Sequence, residues 1–119
     1  QNSIIISRIK RWLWSDAYFA AEKNRGDEVY CQLVKFDQQG PARFEAVSHH
    51  SDENLGKQLE SDFSRLGFNL EKDGNYFKNI LLDSRTNIEN TAAEIVKIFE
   101  EVYRIEKGSP YDFEEEIEG

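Results

Sequence analysis

Residues 87–105 read NIENTAAEIVKIFEEVYRI, and this stretch sets the task for the rest of the chain. Ile88, Ala92, Ile95, Val96, Phe99, Val102 and Tyr103 recur at i, i+4, i+7, i+8, i+11, i+14 and i+15, which lines up one stripe on a 3.6-residue turn. Glu89, Glu94, Lys97, Glu100, Glu101 and Arg104 fall mostly on the other side. Thr86 followed by Glu89 has capping-box spacing, so the helix is expected to begin there. A helix with one dry face must cover apolar surface, and the segments before it supply that surface.

Working upstream, residues 68–71 and 76–82 read as strands flanking Lys72, Asp73, Gly74 and Asn75, where Asp-Gly is a strong hairpin signal. A second helix runs from Ser51 or Asp52 to Leu66, with Leu55, Leu59, Phe63 and Leu66 at i, i+4, i+8 and i+11. Gly67 fits the left-handed position that closes it. Gly56 inside that helix reads as close packing or a small defect, at about 1 kcal/mol relative to alanine.

Residues 28–37, EVYCQLVKFD, form the clearest strand. Cys31 and Leu33 share one face, and Tyr30, Val34 and Phe36 share the other, which predicts a sheet partly covered on both sides. Residues 38–41 turn the chain into a return strand over 42–49. Residues 24–27 tolerate positive φ and join residues 18–22 to the clear strand as a hairpin. A short amphipathic helix over residues 5–13 opens the chain, with Trp12 and Trp14 about 200° apart and so needing separate partner surfaces. The fold class is α+β: a two-layer α-β-β-β-α-β-β-α order with a mainly antiparallel twisted sheet packed against amphipathic helices. Residues 1–106 read as a single α+β domain. Residues 107–119, broken by Gly108 and Pro110 and rich in carboxylates, read as an acidic flexible tail or linker.

The chain has 119 residues, enough for one core, and 13% aromatic with 32% charged residues is a globular composition. A formal charge of −8 argues against nucleic acid or an anionic membrane as partner. Arg8, Lys10 and Arg11 form the one basic cluster and read as a solvated face. Cys31 is alone, so no intramolecular disulfide forms, and with no signal peptide or membrane-length apolar run the expected location is cytoplasmic. Position 1 is not methionine, and the chain reads as a trimmed or excised domain.

The chain carries no recognisable catalytic motif. His49 and His50 adjoin near Glu45, Asp52 and Glu53, but strand neighbours point to opposite faces and cannot chelate one ion in regular geometry. Cys31 sits among Val, Leu and Tyr and reads as a buried thiol rather than a nucleophile. Asp27, Glu28 and Glu45 suggest a metal-dependent nuclease, but the lysine spacing fails, since Gln32 precedes Lys35 by three residues. No glycine-rich phosphate loop, HExxH or GxSxG occurs, and no cofactor is expected.

One family shares the order and several positions. RFEAVSHHSDENLGKQLESDFSRLGFNLEKDGNYFKNILL, followed by AAEIVKIFEEVYRI, resembles the type III secretion chaperone-like superfamily, in particular its bacterial peptide-binding chaperone-like branch. Arg43, Glu45, Val47, Leu66, Gly67, Phe68, Asn75, Tyr76, Val102 and Tyr103 carry the likeness, over about half of the chain. Glu71 and Lys72 stand where that branch often has proline.

The resemblance implies a non-catalytic protein-binding module that dimerises and binds an extended segment of a client, either protein or peptide. Trp14, Tyr18, Tyr30 and Phe36 are the candidates to line the client surface, and Leu55, Leu59 and Phe63 to form a homodimer contact. Packing within the chain is the competing reading for every one of them. Two further readings stand beside it: an accessory or regulatory domain cut from a larger bacterial enzyme, and a metal-dependent enzyme using His49 and His50.

Overall fold

The computed structural model describes the backbone of residues 6–9, 16–25, 27–35, 40–48, 53–72, 74–105 and 111–118, and side chains at 6–9, 19–20, 29–35, 40–48, 56–72, 74–105 and 111–117. In chain order these form α1 (residues 6–9), β1 (Asp16–Arg25), β2 (Asp27–Lys35), β3 (Ala42–Ala46), α2 (Glu53–Arg65), β4 (Asn69–Leu70), β5 (Tyr76–Ile80), α3 (Arg85–Lys97), a π-helical turn (Ile98–Val102) and β6 (Asp112–Glu118). The α+β class read from the sequence holds. The six strands make one open antiparallel sheet in the order β4-β5-β3-β2-β1-β6.

Period-two burial builds this sheet. Val29, Cys31 and Leu33 of β2 and Ala42, Phe44 and Ala46 of β3 are buried, while Tyr30, Gln32, Val34, Arg43 and Glu45 between them are half-buried. The helices lie on the dry face. Phe63 of α2 stacks on Tyr76 of β5 at 4.4 Å between ring centroids, and Phe68 meets Phe44 edge-on at 5.0 Å. Each such buried side chain contributes roughly 1.5–3 kcal/mol. Leu59 and Phe63 are 1% and 0% exposed, so they belong to this chain's own core rather than to a surface for a second copy, and the side chain of Leu55 lies outside those described.

The end of α2 follows from its sequence. Gly67 takes φ 85°, the Phe68 amide donates to the Phe63 carbonyl at 2.9 Å, and the two rings touch at 5.1 Å between centroids, which is a Schellman closure with its apolar contact. Lys78 of β5 completes it: Nζ donates to the Leu66 carbonyl at 2.8 Å and to Glu94 of α3 at 2.5 Å. One cation thus satisfies an orphan carbonyl at the negative end of α2 and ties both long helices to the sheet.

The long C-terminal helix departs from expectation at both ends. Its N-cap is Ser84, whose Oγ accepts from the Asn87 amide at 3.1 Å, so the helix starts two residues before the position that Thr86 and Glu89 suggested. Glu89 instead accepts from Arg85 at 2.7 Å, an i,i+4 pair. Beyond Lys97 the turn widens, with the Tyr103 amide donating to the Ile98 carbonyl at 2.9 Å, and Arg104 at φ 58° ends it. The wider turn lets Ile98, Phe99, Val102, Tyr103 and Ile105 all bury. The Tyr103 hydroxyl donates to the Val47 carbonyl at 2.7 Å inside the core.

Residues 112–118, expected to be flexible tail, are instead strand β6, paired with β1 from Asp16↔Glu118 to Glu22↔Asp112. Tyr111, Phe113 and Ile117 alternate with carboxylates and pack against the core, and seven residues in register outweigh the mutual repulsion of charges that point to solvent. Phe113 lies 6.0 Å from Phe19 and 5.7 Å from Tyr111 between centroids, and Tyr111 lies 5.4 Å from Phe99. No helix among the described residues is long and apolar enough to cross a membrane.

Candidate functional site: a polar sheet face and an outer strand edge

The sheet face opposite the helices, which no other described element covers, carries a polar lattice centred on Glu45. Its Oε1 accepts from Gln32 Nε2 at 2.8 Å and from Asn75 Nδ2 at 3.5 Å, and its Oε2 accepts from Arg43 Nε at 2.6 Å. Asn75 Nδ2 also donates to the Tyr30 hydroxyl at 2.8 Å. Arg43 pairs with Glu71 through its other arm, and its guanidinium lies 4.2 Å from the centroid of the Phe77 ring. Partial burial pushes the Glu45 carboxyl up, but hydrogen bonds from Arg43, Gln32 and Asn75, with the Arg43 charge, outweigh it and hold the group below its ordinary value.

A carboxylate so firmly ionised and so fully engaged is unsuited to proton transfer near neutral pH. Cys31 is also unsuited to covalent chemistry: it is fully buried, and burial, then the Glu94 charge, push its thiol up so that the thiolate is withheld. No group of three or more His, Cys, Asp or Glu able to hold a metal occurs among the described residues. His49 and His50 lie outside them.

The second feature is β6. It occupies one end of the strand order with β1 as its one partner, so among the described residues nothing pairs with its outer side. Asp112, Glu114 and Glu116 are exposed, while Phe113, Glu115 and Ile117 are half-buried toward the helices. On that side Arg8 of α1 pairs with Glu115 at 3.8 Å and lies 5.2 Å over the Phe113 ring. Part of the basic cluster read as a solvated face therefore holds the edge strand to the first helix. At the opposite end β4 has two residues, too short to template another strand.

Of the sequence-derived client-surface residues, Tyr30 lies on the uncovered face, bonded to Asn75. Tyr18 pairs opposite Val34 in the β1–β2 register, but its side chain is not among those described. Trp14 and Phe36 lie outside the described residues. The sequence reading missed β6. Its signal was the alternation of Tyr111, Phe113 and Ile117, interrupted by Glu115 at an inward position whose neutralising partner, Arg8, is more than a hundred residues away in the chain. Comparison of the chain with family models, with curated proteins and with solved structures finds no match.

Proposed function

We propose that this protein is a non-catalytic protein-binding module of chaperone-like character, which takes an extended segment of a client by strand addition on the outer edge of β6. The supporting observation is the seven-residue strand that, among the described residues, is paired on one side only, beside α1. An extended peptide can satisfy the outward N–H and C=O groups of such an edge, with main-chain bonds giving affinity and alternate side chains giving selection. The firmly bonded Glu45 carboxylate and the buried Cys31 thiol are each unsuited to catalysis, which supports the binding reading.

The test is fluorescence anisotropy with unstructured, labelled peptides and the same sequences N-methylated at alternate residues. Strand addition predicts that methylation of one of the two alternating sets abolishes binding while the other set is tolerated. Equal binding by both methylated forms, or no binding by any peptide, would contradict it.

A further inference from the structure

We infer that the segment received at β6 is cationic on one face and apolar on the other, with lysine or arginine at every second position. This inference rests on the strand-addition reading and deepens it. The site is the outer edge of β6, unpaired among the described residues, and its two sides differ in chemistry. Toward the helices it offers Phe113 and Ile117, with Glu115 already neutralised by Arg8. Toward the uncovered face it offers the exposed Asp112, Glu114 and Glu116, in a chain whose net charge is −8.

A strand laid along β6 places every second side chain beside one of these rows. Residues directly across a strand pair interact, opposite charges favourably and like charges unfavourably. A second copy of this chain is therefore a poor occupant, because pairing β6 with another β6 sets carboxylate against carboxylate. An acidic client is rejected for the same reason. Edges protected against association commonly carry lysine, proline or a bulge; β6 has neither lysine nor proline, so its carboxylates exclude self-pairing while leaving the edge open to a cationic strand. Charge complementarity thus names the client class: a basic, amphipathic, extended peptide.

The experiment uses the full chain and three synthetic peptides, Lys-Val-Lys-Phe-Lys-Ile-Lys and its counterparts with serine or glutamate in place of every lysine. The expected order of affinity is lysine, serine, glutamate, with about tenfold between the first two from three cross-strand charge pairs acting together. That preference collapses at about 0.5 M salt, where exposed charges are screened. The doubly reversed variant Glu114→Lys with Glu116→Lys, checked for an unchanged circular dichroism spectrum, prefers the glutamate peptide. Equal binding of the lysine and serine peptides overturns the charge selection while leaving strand addition standing. Failure of all three to bind overturns both, and a lysine preference that survives the double variant places the selecting charge elsewhere and overturns the assignment to β6.

Discussion

Glu45 illustrates how much one side chain organises on the uncovered face. Its carboxylate accepts from Arg43, Gln32 and Asn75, and through Asn75 it is linked to Tyr30. Charge-assisted bonds contribute roughly 1.5–3 kcal/mol when sheltered, and partial exposure reduces that here, so Glu45→Gln is expected to cost about 1 kcal/mol at pH 7. Because its folded value lies below its unfolded one, the ionised group stabilises the protein above the ordinary carboxylate range, and that stabilisation is lost as pH falls through the folded value. Urea unfolding at pH 7 and pH 3 checks this: the gap between wild type and variant should shrink at the lower pH. A gap of equal size at both would assign the effect to packing. At this scale the sequence was partly readable. Arg43 and Glu45 stand out as alternating polar residues on one strand, but the contribution of Asn75, 30 residues away, appears only once β3 and β5 are neighbours.

At the scale of elements, local chemistry was legible wherever a single residue decides the outcome. Gly67 closes α2 as its position suggested, and the Asp73-Gly74 signal marks the β4–β5 hairpin, although Asp73 itself is outside the described residues. Where the capping-box spacing pointed to Thr86, the structure caps the helix at Ser84 instead, with Leu82 fully buried just before it. The π turn was not legible, because it arises from the demand to bury Ile98 together with Phe99. Gly56 settles differently from the close-packing reading. A methyl group added there meets nothing within 4 Å, and its backbone is helical. Gly56→Ala is therefore expected to stabilise the protein by about 0.5–1 kcal/mol through helix propensity and reduced freedom of the unfolded chain. A rise in melting temperature would be the readout, and a fall would mean that the site is closed.

For the molecule as a whole, the α+β class and the pairing of successive strands followed from periodicity and turns, whereas the two ends of the sheet did not. The chain reaches its second edge by returning after α3 to lay Asp112–Glu118 against β1, a contact across ninety residues or more that no local pattern encodes. On the reading proposed above, the acidic composition that disguised this strand would also give the edge its selectivity, since the same carboxylates would repel a second copy and attract a basic partner. Amide hydrogen exchange across β6, with and without the lysine peptide, tests this account most directly. In the free protein, amides of β6 that point toward β1 should exchange slowly and the alternating ones that point away should exchange fast; added peptide should slow the outward set and leave the rest of the sheet unchanged. Uniformly fast exchange through residues 112–118, or slowing confined to other strands when peptide is added, would contradict it.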